Sequence, residues 1–403
     1  MDCKQSLSLY IHIPYCISKC SYCDFFSRGG CKSVPPAYID ALCREIEVRA
    51  GAGVAASFNC WKSVYIGGGT PSLLSDNQLG KICSAVAGAK KLNEKSEFTI
   101  EVNPDDVTEI FIENLKKTPV NRISVGIQSL NEKSLSFAKR RASAAQNISA
   151  LEIISKNWNR RFSVDLICGL PFETESSFME GLKKIMSYKP DHISMYSLTF
   201  EDETPFEKML NSELSDYDFD FSDTLWLKGR EFLKENGYFQ YEVSNFSKKG
   251  FESIHNLSYW NHEPYLGAGS GATGTLYKGR EGKRVTATTA IEEYCKFWLS
   301  EEGFSGNPEE IEKKIYSVEL IDEKTSMFEF FMMGLRKFSG IKESDFERIF
   351  SKKIPQSVIE LAEKWKKKGL CVIDNSDGGF NFTLGEKGIL YLNSFVLALD
   401  LEE

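Results

Sequence analysis

Six times between Ser6 and Phe200, a short run rich in β-branched and aromatic residues precedes a longer polar or amphipathic stretch. The runs are SLSLYIHI (6–13), SVYIGGG (63–69), EFTIEVN (97–103), RISVGIQS (122–129), FSVDLICG (162–169) and HISMYSLTF (192–200). Between them lie helical patterns such as TESSFMEGLKKIMSYK (174–189) and DNQLGKICSAVAGAKKL (76–92). In the latter, Leu79, Ile82, Val86 and Leu92 keep roughly one face apolar. Strand–helix–strand units repeated in this way need right-handed crossovers and give a mainly parallel sheet. Six units fall short of the eight that close the usual α/β barrel. The predicted architecture is therefore an open, partial (β/α)6 barrel, with a doubly wound sheet as the runner-up. In both, ligands gather beyond the carboxyl ends of the strands.

At 403 residues the chain is long for one core, so a large domain with a smaller companion is expected. Residues 1–240 carry the repeating units, and 241–302 read as an irregular extension with a glycine-rich passage, YLGAGSGATGTLYKG (265–279). From 303 to 403 the texture changes to three helical stretches (327–338, 344–350, 357–369) and a hairpin over 370–384, turning at Ser376 and Asp377. Helices followed by a hairpin predict a small α+β module of winged-helix type. A net charge of −8 argues against a nucleic-acid partner, and no run of about 18 apolar residues exists to span a bilayer. The N-terminal segment lacks the apolar stretch of a signal peptide, which places the expected location in the cytoplasm. Eleven cysteines, an odd number scattered along the chain, do not look like a disulfide framework. Most of them, Cys43, Cys83, Cys168, Cys295 and Cys371, sit in apolar surroundings and read as small buried hydrophobes.

Cys16, Cys20 and Cys23 are different. They follow the first strand directly, in the stretch YIHIPYCISKCSYCDF (10–25). Closely spaced thiolates hold iron–sulfur clusters, usually four to a cubane, and a structural zinc also needs four ligands. Cys31 is the one further thiol nearby, at awkward spacing, and His12 lies inside the strand. If neither completes the site, one iron keeps an exchangeable position. Other polar residues fall near strand ends: Glu101 in IEVNP, Gln128 in VGIQS and Asp165 in VDLICGLP. Each alone reads as a satisfied core group or helix cap, but together they can point to one mouth and suit an amino-acid ligand bearing ribose hydroxyls.

Cys-x-x-x-Cys-x-aromatic-Cys after a first strand resembles the cluster loop of the radical S-adenosylmethionine superfamily. The resemblance implies a 4Fe–4S cluster whose fourth iron is chelated by S-adenosyl-L-methionine, which an electron then cleaves to methionine and a 5′-deoxyadenosyl radical. By the same resemblance YIGGGTPSLL (65–74) holds the methionine amino group through Gly68, Gly69 and Thr70. Arg140, Tyr10 and Tyr22 are implied cofactor contacts too.

SLYIHIPYC, CSYCDF, RISVGIQSLN, DLICGLP, YEVSNF and HNLSYWNHEPYLGAG extend the likeness over most of the chain, to the HemW group. That group is related to the oxygen-independent coproporphyrinogen III oxidases but regarded as haem chaperones. The resemblance implies haem as cargo, haem-acceptor proteins such as respiratory enzymes, an electron donor and a HemN-type C-terminal domain; the oligomeric state stays open, a homodimer being one option. HNLSY (255–259) matches an H-N-x-x-Y motif linked to haem, making His255 and Tyr259 candidate haem residues, with His262 a competitor. His192 reads as structural. The alternative is oxidative decarboxylation of coproporphyrinogen III to protoporphyrinogen IX. Against it, the oxidases have a further cysteine where this chain has Phe25, and an N-terminal extension before the first strand. After the H-N-x-x-Y motif the chain reads Gly-Ser-Gly-Ala-Thr (269–273) where related chains read Gly-Pro-Gly-Ala-His.

Overall fold

A computed structural model describes residues 5–305, 308–376 and 378–401. Six parallel strands lie side by side in chain order: β1 (Ser6–Ile13), β2 (Cys60–Gly68), β3 (Glu97–Val102), β4 (Arg122–Gln128), β5 (Arg161–Cys168) and β6 (His192–Ser197). Each strand adds to the same edge as the last, with no reversal of direction. A doubly wound sheet reverses its order at a switch point, so the partial barrel is the observed form. Helices between the strands begin at side-chain caps written in the sequence. Ser75 with Gln78, Ser143 with Gln146, and Thr174 with Ser177 each form a reciprocal capping box.

The strand register sorts side chains into two unlike faces. Toward the helices point Leu9, Ile11, Val64, Ile66, Ile100, Ile123, Val125, Val164 and Ile193, each at most 1 % exposed. They pack with Leu42, Ile46, Ile82, Val86, Ile112, Leu151 and Ile185 in one continuous core. Burial of such aliphatic side chains, at about 1.5–3 kcal/mol each, is what holds the layer together. The opposite face is polar on every strand. Pairing aligns Ser8 with Ser63 and Tyr10 with Tyr65, then Glu101 with Ser124, and Asp165 with Ser194. A polar inner face needs polar contents, and the site is built there.

The sheet continues past both ends of the barrel. Beyond β6 lie β8 (Asn245–Ser247) and β7 (Phe239–Gln240). Beyond β1 lie β9 (Tyr265–Ala268), β10 (Thr273–Lys278), β11 (Glu281–Ala287) and β12 (Tyr316–Ile321), giving twelve strands. The passage that reads as irregular in sequence thus carries a ladder, short and glycine-rich because backbones meet closely there. A Cβ on Gly267 would lie 2.2 Å from the Thr273 carbonyl oxygen.

A second core lies C-terminal to the sheet. Helices Glu323–Gly334, Glu343–Phe350 and Gln356–Lys367 precede an antiparallel hairpin of β13 (Cys371–Asp374) and β14 (Asn381–Leu384). Phe331, Phe346, Phe350, Val358, Phe382 and Phe395 are buried together in it. This is the small α+β module expected; Asp377 of its predicted turn lies outside the described residues. Nine described cysteines are free thiols, and Cys60 is disulfide-bonded. Among the described residues, no helix is long and apolar enough to cross a membrane.

Candidate functional site

The loop after β1 is anchored before it reaches solvent. Cys16 N–H donates to the Arg28 carbonyl at 2.9 Å, and Cys31 N–H donates to the Cys16 carbonyl at 2.9 Å. His12 meets the Phe26 carbonyl through Nε2 at 2.9 Å, and its Nδ1 meets the Tyr10 hydroxyl at 2.8 Å. Behind the loop runs the Gly269–Ser270–Gly271 turn, where a Cβ on Gly271 would come within 2.5 Å of Phe26. The segment departing from the Gly-Pro-Gly pattern therefore backs the thiol loop.

Cys16, Cys20 and Cys23 open onto a cavity of 410 Å3 at the carboxyl ends of β1–β6. That is the place the fold assigns to ligands, and the volume lies within the range of about 300–1,000 Å3 usual for small-molecule sites. Among the described residues no three His, Cys, Asp or Glu side chains gather closely enough to hold one metal ion. Cys16, Cys20 and Cys23 facing one cavity suit a cubane, where each thiolate takes a different iron. Burial pushes the Cys23 thiol up to about 11, so metal binding must displace its proton.

Cations and hydroxyls already face the sulfurs. The Thr70 hydroxyl lies 3.4 Å from Cys16 Sγ. Arg140 Nη1 lies 3.4 Å from Cys20 Sγ and 3.5 Å from the Tyr22 hydroxyl. Its Nη2 donates to Asn103 Oδ1 at 2.7 Å and to the Gly126 carbonyl at 2.6 Å, which fixes the guanidinium plane. Gly68 has φ +112°, and a Cβ there would meet the His12 ring at 2.6 Å; only glycine fits. Gln128 also has positive φ, at 65°, beside a bulge in β4. A non-glycine residue held there marks backbone strain at the cavity wall.

Tyr22, Gly68, Gly69, Thr70, Glu101, Gln128, Arg140 and Asp165 all line the cavity. Tyr10 does not; it turns to His12 and supports the loop. Sequence reasoning missed Tyr65, Asn103, Ser124, Ser194 and Tyr196, which line it as well. Tyr65, Ser124 and Ser194 occupy alternate, inward positions of their strands, and that period was the available signal. Glu101 accepts from the Tyr65 hydroxyl at 2.8 Å and from Gly68 N–H at 3.2 Å. Burial nevertheless raises its carboxyl to about 7. Asp165 is raised by burial too, and accepts from Ser124 Oγ at 2.8 Å.

His255 and Tyr259 lie outside this cavity. They sit on the helix Ile254–Trp260, which plugs the barrel beneath it. Glu97 fixes the start of that helix, accepting from His255 N–H at 3.0 Å and Ile254 N–H at 3.2 Å. The His255 ring is 1 % exposed, with Nδ1 on Ser63 Oγ at 2.8 Å and Nε2 on the Tyr259 hydroxyl at 2.7 Å. Both nitrogens are in use, and burial lowers the imidazole to about 3. His262 lies past the helix, under the C-terminal module. His192, bonded to Ser163 and Tyr241, is structural.

Comparison with known proteins gives the family. Residues 10–185 match the radical SAM superfamily, and 321–378 match the HemN C-terminal domain. The chain is 34% identical to the heme chaperone HemW of Lactococcus lactis over 85% of both chains. It is 31% identical to that of Haemophilus influenzae over 98% of both. In fold it is similar to coproporphyrinogen III oxidase (HemN) from Escherichia coli, with a TM-score of 0.78 at 19% identity, covering 100% of this chain and 92% of that one. This chain belongs to the HemW family of the radical SAM superfamily.

Proposed function

We infer that this protein is a haem carrier that holds a 4Fe–4S cluster on Cys16, Cys20 and Cys23 and S-adenosyl-L-methionine in the adjoining cavity, and passes haem to acceptor proteins. The observation that carries the reading is a three-thiol loop at the mouth of a polar cavity, in a chain aligned nearly end to end with relatives named heme chaperones. When bound, the cluster and its ligand supply one-electron chemistry. The chain's own residues do the positioning. Arg140 and Thr70 face the sulfurs, Gly68 and Gly69 let the backbone approach a ligand, and Glu101 and Asp165 accept from its amino or hydroxyl groups.

Two features favour the carrier over coproporphyrinogen oxidation. Phe25, where the oxidases have a cysteine, lines the cavity and is 63 % exposed. Each of the cavity's arginines also already faces a protein acceptor, with Arg140 Nε and Arg141 Nη1 still unbonded. Arg141 is paired with Asp105 at 2.6 Å and Asp106 at 2.7 Å, Arg122 faces Glu97, and Arg140 is bonded as described above. A substrate with four propionates would need such cations free.

The test is anaerobic reconstitution followed by haemin titration and mixing with a haem-free b-type acceptor. Saturable binding and transfer to the acceptor are expected. Vinyl product formed from coproporphyrinogen III with reductant would overturn the reading.

A further inference from the structure

A second cavity, of 210 Å3, lies between the plug helix, the β10–β11 hairpin and the helix Glu323–Gly334. Its walls are the rings of Tyr259, Trp260, Tyr265 and Tyr277, with His262 and Arg284. It shares no lining residue with the cofactor cavity.

His262 is held there against several preferences at once. Its φ is 55°, a left-handed conformation usually left to glycine or asparagine after a helix. Its ring is 6 % exposed and lies over Tyr277, with centroids 3.8 Å apart and planes tilted by 31°. Nε2 meets only Ser326 Oγ, at 3.5 Å, and Nδ1 has no partner. Trp260 Nε1, also buried, has none either. Unpaired buried polar groups cost stability, and strained backbone gathers at functional sites.

The chemistry of the missing partner follows from these atoms. An indole N–H can only donate. With the Ser326 hydroxyl donating to Nε2, the neutral imidazole carries its proton on Nδ1 and donates as well. Burial keeps that imidazole neutral, lowering it to about 4. Two donors without acceptors, among four aromatic rings, ask for a flat apolar body carrying a carboxylate. Arg284 is already paired with Glu319 and Glu329, so the positive charge nearby is Arg336, which stands 5.2 Å over the Trp260 ring. The one carboxylate in the wall, Glu263, is paired with Lys62.

We propose that this cavity takes the propionate-bearing edge of the haem, with Trp260 and His262 donating to a carboxylate and the tyrosine rings packing against the pyrroles. The proposal rests on the haem-carrier reading. At 210 Å3 the cavity is smaller than the sites of about 300–1,000 Å3 that enclose a whole ligand of this size. Only an edge enters. The iron and the far rim stay outside, open to an acceptor.

The test uses the full, cluster-loaded chain and three probes: haemin, metal-free protoporphyrin IX and protoporphyrin IX dimethyl ester. The dimethyl ester is expected to bind at least about tenfold more weakly than protoporphyrin IX, a tenfold change being about 1.4 kcal/mol. Met333→Trp, which fills the cavity, is expected to weaken haemin by a similar factor, with iron content and unfolding midpoint unchanged. Trp260→Phe is expected to weaken protoporphyrin IX and leave the dimethyl ester unaffected, a split that a merely structural role would not give. Equal affinity for ester and free acid, or wild-type haemin affinity in a folded Met333→Trp chain, would show a cavity that holds water alone and overturn the proposal. Wild-type protein that binds no haemin would instead remove the carrier reading itself.

Discussion

Tyr65 donates its hydroxyl to Glu101 at 2.8 Å, and the same ring stacks on His255 with centroids 5.0 Å apart. One side chain thus joins the cofactor cavity above to the plug helix below.

Removing that hydroxyl has a defined sign. Burial raises the Glu101 carboxyl to about 7, and the Tyr65 hydrogen bond pulls it down. Tyr65→Phe therefore moves it further up. The carboxylate accepts more strongly than the acid from a ligand's amino and hydroxyl groups, so affinity for S-adenosyl-L-methionine should fall as pH drops through about 7. In the variant the midpoint should rise by up to about 1 pH unit. Calorimetric titrations across this range check it; an affinity independent of pH would contradict it.

His255→Ala should cost about 2–4 kcal/mol of stability, because it leaves Ser63 and Tyr259 without their buried partner. His255→Asn, which keeps a polar group near Ser63, should cost less. Urea unfolding of the ligand-free chain measures both. Equal stability of wild type and His255→Ala would mean that the plug helix is held by other contacts.

Stability should also depend on pH through a third group. Glu173 is buried at the end of β5, accepting from Ser129 Oγ at 2.7 Å, and burial raises it to about 7. An acid raised above its unfolded value binds more protons when folded. Its stabilising share is complete below about 4.5, the unfolded value, and is lost as pH rises through about 7. Glu173→Gln should remove that loss, roughly 3 kcal/mol between these limits. His255 and His262, both lowered by burial, act oppositely, losing stability as pH falls below about 6.5. Thermal unfolding of wild type and variant at matched pH separates the two trends.

The cluster ligands can be tested one at a time. Cys16→Ala, Cys20→Ala and Cys23→Ala should each abolish stable loading of about four iron ions per chain. Cys31→Ala should not, because Cys31 is absent from the cavity wall and its Sγ lies 3.8 Å from the Gly29 carbonyl. Iron and sulfide analysis after anaerobic reconstitution decides it.

The six barrel strands were legible because apolar residues alternate with polar ones, and because four of the six runs end at glycine, asparagine or serine. The thiol loop was legible from spacing together with its resemblance to the radical S-adenosylmethionine superfamily. The period of 2 marked the polar half of each strand but not that this half turns inward, since exposed and cavity-facing positions look alike. Tyr65 was missed for that reason. The plug helix depends on Glu97, 158 residues before His255, and no local pattern records a contact so distant. Tyr10 stood beside the cysteines in sequence, yet strand register turned it onto His12.

The central claim is that three thiolates hold a cubane with one iron left for S-adenosyl-L-methionine. The most direct measurement is the EPR spectrum of the reduced, anaerobically reconstituted protein with and without that compound. A changed g-tensor on addition is expected, lost in Cys20→Ala along with the cluster. Spectra that superimpose would contradict it.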